Sequence, residues 1–124
     1  MQDGFIVRTE SHDGGTTWSP GKDTKFPNPN SAVDLIRLKN GHLVMVYNDN
    51  DQGERMPLTV AISTDGEKSW PHRRDLINKP GDTAAYPNLK QTGDGKIHLI
   101  NTSAGRTVVN HLVFDESAIL GHTK

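Results

Sequence analysis

One eight-residue pattern is written twice in this 124-residue chain, as Ser11-His12-Asp13-Gly14-Gly15-Thr16-Thr17-Trp18 and as Ser63-Thr64-Asp65-Gly66-Glu67-Lys68-Ser69-Trp70. Both copies fit Ser-x-Asp-Gly-x-x-Ser/Thr-Trp, and between them they use both tryptophans. Asp13 and Asp65 stand 52 residues apart. A period near 50 residues implies like units, each too small to bury its own apolar side, stacked so that neighbours cover one another. A second feature has nearly the same spacing. The alternating run Val33–Leu38 meets Asn40-Gly41 and continues as Leu43–Tyr47; the pattern returns as Tyr86–Gln91, Gly93-Asp94-Gly95 and Ile97–Asn101. Placing Gly41 on Gly95 puts Leu35 on Leu89, Leu43 on Ile97 and Met45 on Leu99, an offset of 54.

The apolar residues recur with period two, which predicts strands and an all-β fold. The expected elements are a strand at 5–11, the first repeat, a strand at about 23–27, a hairpin over 33–48 and a strand at 57–63. The second repeat, a strand at about 73–77, a hairpin over 86–102 and a strand at 107–114 follow. No segment has helical spacing. Asn40-Gly41 predicts a two-residue turn with positive φ at both positions. One unit, 31–78, holds four strands; 1–30 is a half unit and 79–124 a partial one, within a single domain spanning 1–124. Four antiparallel strands recurring at this period describe a β-propeller blade, so the chain reads as a partial propeller of about two blades. Closed propellers need about four to eight blades. Left alone, such a piece exposes unpaired strand edges. It is therefore expected to be the remainder of a longer chain, to close a ring as a homotrimer, or to pack as an open sandwich.

Composition narrows the partners. Hydrophobic residues make up 32% and mean hydropathy is −0.66, so the core is thin; twelve glycines and seven prolines punctuate the strands. A net charge of −1 with scattered Lys and Arg predicts neither nucleic-acid nor membrane binding. There is no apolar run of membrane-spanning length and no signal-type N-terminal run, so the default compartment is the cytoplasm if Met1 is the true start. With no cysteine, thiol chemistry and disulfides are excluded.

The repeat resembles the Asp box, or BNR repeat, of sialidases (neuraminidases) and their relatives. In that resemblance Ser11, Asp13, Gly15 and Trp18, and Ser63, Asp65, Gly66 and Trp70, are structural: the carboxylate accepts turn amides, glycine takes a left-handed conformation, and the indole packs on the blade. Glu67 stands where the pattern prefers glycine. The likeness covers roughly residues 5–114. It is closest to a BNR-repeat neuraminidase-like group carrying Pro-Asn-Pro-Asn-Ser, here Pro27–Ser31, and corresponds to the C-terminal part of a six-bladed propeller. It implies that Arg55 is the last arginine of a triad gripping a substrate carboxylate and that Tyr86 is the nucleophile, with Pro87 where catalytic sialidases usually carry serine. Arg106 becomes a second carboxylate contact, and Asn30 and Asp34 line the pocket. An Arg fork suits a carboxylate, and a neutral phenol avoids repulsion by it. The family's activating Glu and proton-donating Asp come from earlier blades. Glu10, Glu54, Glu67 and Glu116 are not where the activating Glu would fall.

Each of these residues also has a plain structural role open to it. Arg55 reads as a solvated strand-edge arginine, Tyr86 as a half-buried strand aromatic, Arg106 as a loop arginine, and Asn30 and Asp34 as turn caps. His12, His42, His72, His98, His111 and His122 lack zinc-ligand spacing, so no metal is expected. Asp49-Asn50-Asp51-Gln52-Gly53 lacks the bidentate Glu of a calcium loop, and no cofactor is expected. Three functions follow: a glycoside hydrolase acting on terminal sialic-acid-type glycosides, a module that binds an acidic sugar or a protein, and a scaffold without ligand.

Overall fold

The computed structural model describes residues 4–124; the first three residues of the expected half unit lie outside them. Nine strands form three antiparallel sheets. The first sheet pairs β1 (Phe5–Arg8) with β2 (Lys22–Pro27). The second has the order β3 (Asp34–Arg37), β4 (Leu43–Asn48), β5 (Leu58–Ser63), β6 (His72–Ile77). The third is β7 (Ala84–Gln91), β8 (Ile97–Ser103), β9 (Val108–Phe114). These all-β meanders have the form of partial propeller blades. Among the described residues a single 3₁₀ turn, Glu116–Ala118, is the one helical element. Among the described residues no helix is long and apolar enough to cross a membrane.

Burial follows position in the stack. Strands β4 and β5 are central and covered on both faces, and all twelve of their residues are buried. Their near-continuous apolar runs are what such strands require. One face supplies Val44, Val46, Leu58, Val60 and Ile62 to the main core, met by Ala84, Leu89, Ile97 and Leu99 from the third sheet. The other face is lined by Met45, Tyr47 and Ala61, against Phe26 of the first sheet. Fully burying one Val, Leu or Ile is worth about 1.5–3 kcal/mol, so the main core dominates stability.

The two repeats fold alike. In the first, the Ser11 hydroxyl donates to Asp13 Oδ1 (2.8 Å) and accepts the Gly15 amide (2.8 Å), while the Thr17 amide (2.9 Å) and hydroxyl (2.5 Å) donate to the same carboxylate. In the second, Ser63 donates to Asp65 (2.9 Å) and accepts the Glu67 amide (3.0 Å), and Ser69 supplies amide (2.9 Å) and hydroxyl (2.5 Å). Hydrogen bonds from Thr17 hold Asp13 at a pKa of about 2, and those from Ser69 do the same for Asp65. Gly15 (φ 92°) and Glu67 (φ 75°) occupy the same left-handed position, so the second repeat carries strain that the first avoids.

Three expectations change. The Leu38–His42 loop is not a two-residue turn: the Gly41 amide donates to Leu38 O (2.9 Å), the Leu38 amide to His42 O (2.8 Å), and only Gly41 has positive φ. The Asn40 carboxamide caps the His42 amide instead (3.0 Å). Thr92–Lys96 repeats the design, with Asp94 capping Lys96 (3.1 Å). The first strand stops at Arg8 rather than residue 11, because Glu10 turns to bond Ser19. The indoles differ too. Trp70 packs edge-on against Phe26 of the sheet before its own, 5.7 Å between centroids, whereas Trp18 is 62% exposed. No described sheet precedes β1, so Trp18 has no Phe26 equivalent to meet.

The segment after β9 was not anticipated. It crosses back over the second sheet: Ile119 is fully buried in the main core, and the Arg73 amide donates to His122 O (2.9 Å). Lys124 Nζ lies between Asp49 (2.5 Å) and Asp75 (2.6 Å). Glu116 takes hydrogen bonds from Asn40 (2.8 Å) and His42, tying this segment to the β3–β4 loop.

Candidate functional site

At the end of the second and third sheets, Arg55, Tyr86 and Arg106 converge on a cleft of about 220 Å³ that Thr83, Ala85 and Gly105 complete. The Arg55 guanidinium carbon lies 5.3 Å from the centre of the Tyr86 ring and that of Arg106 6.0 Å, two cations against one aromatic ring. Three separate segments deliver them. Arg55 precedes β5, Tyr86 sits inside β7, and Arg106 lies in the turn between β8 and β9. Asn30 contributes only its backbone carbonyl, which accepts from Arg55 Nη2 at 3.4 Å. Asp34 is elsewhere. Its carboxylate accepts the Leu35 amide (3.0 Å) and, across the sheets, the Leu89 amide (2.7 Å), joining β3 to β7.

The backbone at this cleft is strained. Among the described residues five non-glycines have positive φ; Tyr86 (53°) and Arg106 (74°) line the cleft, and Asn30 (61°), whose carbonyl meets Arg55, and Ala104 (50°), beside Gly105, adjoin it. Such conformations cost of order 1–3 kcal/mol each and cluster at functional sites. Tyr86 owes its outward aim to a β-bulge: register passes from Ala85↔Thr102 to Asn88↔Ile100, leaving Tyr86 and Pro87 opposite Asn101 alone. Pro87 has no N–H to waste there and is buried, while Tyr86 is 43% exposed.

What fixes these loops is Asn48, a residue that spacing and resemblance did not single out. Fully buried at the end of β4, its Nδ2 donates to Ala84 O (2.8 Å) and Pro57 O (3.1 Å), and its Oδ1 accepts the Ser31 hydroxyl (2.8 Å). One carboxamide therefore ties together the segments carrying Asn30, Arg55 and Tyr86. Asn28 closes the Pro-Asn-Pro-Asn-Ser turn through Ser31 N (2.9 Å) and O (3.1 Å), and the Ala84 amide donates to Arg55 O (2.8 Å). Asp82 pins the Arg106 turn by accepting the Thr83 (2.7 Å) and Ala104 (2.9 Å) amides. A buried Asn at a strand end was the available signal, since a carboxamide there must find partners.

Electrostatically the cleft is cationic. Among the described residues neither Arg55 nor Arg106 pairs with a carboxylate; Glu10 and Glu67 both engage Arg8, and Glu116 engages His42. Side-chain hydrogen bonding from Arg55, then the charges of Arg55 and Arg106, hold the Tyr86 phenol below its ordinary range. Two guanidiniums against one phenol make the cleft a favourable environment for an anion.

Repeated Asp-bearing corners on blade-like sheets, with this cleft at one end, place the protein in the class of BNR-type repeat proteins. The chain matches the BNR repeat-like domain family over residues 1–99 and belongs to it. No curated protein matches it.

Proposed function

We propose that the Arg55–Tyr86–Arg106 cleft binds the carboxylate of an acidic sugar of the sialic-acid type. The observation that carries this is the pair of guanidiniums, neither with a carboxylate partner among the described residues, against one exposed phenol. A carboxylate bridging Arg55 and Arg106 would relieve their repulsion and accept charge-assisted hydrogen bonds, while the Tyr86 ring supplies an apolar wall. Hydrolysis of terminal sialic-acid-type glycosides, with Tyr86 as nucleophile, is the second reading, supported by the acidified phenol. It also needs a general base and an acid, and among the described residues no carboxylate is hydrogen-bonded to the Tyr86 hydroxyl, so recognition is the function proposed for this chain itself.

Titration of the chain with free sialic acid and with its methyl ester, followed by amide chemical shifts, tests recognition. The acid should perturb the Arg55, Tyr86 and Arg106 region and the ester should not; Arg55→Met should abolish the response. Equal responses to acid and ester, or none to either, would overturn it. A fluorogenic sialoside assayed with the wild type and Tyr86→Phe decides the second reading.

A further inference from the structure

The outward face of the third sheet departs from its repeat counterpart. With the 54-residue offset and matching registers, Ile36, Val44 and Val60, which cover the third sheet from the second, correspond to Lys90, His98 and His111. At these three positions the second sheet uses aliphatic side chains to bury its neighbour and the third carries a lysine and two imidazoles, while Ile100 and Val113, the counterparts of Val46 and Ile62, stay aliphatic.

His98 Nδ1 lies 3.0 Å from His111 Nε2, with the rings 21° from parallel and their centroids 5.2 Å apart. The Thr92 hydroxyl donates to Asp94 Oδ1 (2.5 Å), so only its lone pairs remain for His98 Nε2, 3.2 Å away. His98 therefore carries its proton on Nε2 and leaves Nδ1 bare, facing His111. The line Asp94–Thr92–His98 orients this ring, as hydrogen-bonded partners do for metal-ligating histidines.

We propose that His98 Nδ1 and His111 Nε2 form a two-imidazole site for a borderline divalent cation, Cu²⁺ or Ni²⁺ before Zn²⁺, with water completing the coordination. Imidazole–metal bonds of about 2.0–2.1 Å set two nitrogens on one ion roughly 2.9 Å apart at a right angle and roughly 3.4 Å apart at the tetrahedral angle. The observed 3.0 Å suits adjacent positions of a tetragonal ion, the geometry Cu²⁺ and Ni²⁺ favour. On binding, His111 changes tautomer, its proton passing from Nε2 to Nδ1 through solvent; two nitrogen–metal bonds form and two waters leave the ion. Lys90, opposite His98 in the register, adds a positive charge that lowers the affinity. Among the described residues no group of three His, Cys, Asp or Glu side chains gathers around a common point, so the ion stays solvent-exchangeable. Sequence spacing misses the pair because the sheet, not the local chain, brings the two rings together.

Isothermal titration with CuCl₂ and NiCl₂ near neutral pH tests the proposal. The wild type should take up one ion per chain; His98→Gln and His111→Gln should each weaken uptake by at least about 10-fold, and Thr92→Val by about 10-fold. His12→Gln, which removes an exposed imidazole elsewhere, should leave it unchanged. The imidazole nitrogen resonances of His98 and His111 should shift or broaden together with the first equivalent. Wild-type binding in either glutamine variant, absence of binding, or loss in His12→Gln would overturn the site.

Discussion

The protein has two tyrosines, in opposite environments. Tyr86 is exposed beside two guanidiniums, which hold its phenol below the ordinary range, while burial first, and then the Asp49 charge, push Tyr47 up to about 12. Spectrophotometric titration at alkaline pH should therefore show two separated steps, one below about 10 and one well above it. Tyr86→Phe should delete the earlier step and leave the later one. A single step near 10 would mean the arginines do not reach the phenol. At this scale the sequence was partly legible. Arg55, Tyr86 and Arg106 stand out through the resemblance to sialidases, and the fold brings them together. The left-handed bulge that turns Tyr86 outward left no sequence mark beyond Pro87, and Asp34 proved committed to backbone amides, because a carboxylate at a strand start reads the same whether it caps or binds.

Among the elements, β4 does the most to shape the cleft, because it ends in Asn48. Asn48→Ala would leave the Pro57 and Ala84 carbonyls without this buried donor, at roughly 1–3 kcal/mol for each group, for a total loss of roughly 2–6 kcal/mol. The denaturant midpoint should fall accordingly, and sialic acid affinity should fall with it although Asn48 touches no ligand. Unchanged affinity in a folded Asn48→Ala chain would show that the loops hold themselves. Strand positions were readable from alternation and turn residues, most clearly where both hairpins shared one offset. Turn geometry was not: Asn40-Gly41 has a strong two-residue signature, yet the loop uses three residues with Asn40 as a cap. The indoles differ for a related reason, since Trp70 is partly buried against Phe26 of the preceding sheet, a contact Trp18 lacks.

At the scale of the whole molecule, the two interfaces between sheets are unequal. Twelve buried residues form the core between the second and third sheets, whereas of the first sheet's residues only Phe26 is buried. Local stability should follow that difference. Amide hydrogen exchange is expected to be fastest in 22–27 and slowest in β4 and β5, with Ile119 protected alongside them; uniform protection from β1 to β9 would refute the ranking. The repeat period announced stacked sheets, but not the returning C-terminal segment, whose single buried isoleucine has no counterpart in either repeat. That segment has a further consequence. Strand β6 ends its sheet, and its outward N–H and C=O groups would otherwise be a template onto which foreign chains could crystallise as fibrils. By occupying that row at Arg73, the last few residues act as a built-in guard against cross-β growth on one flank of the molecule.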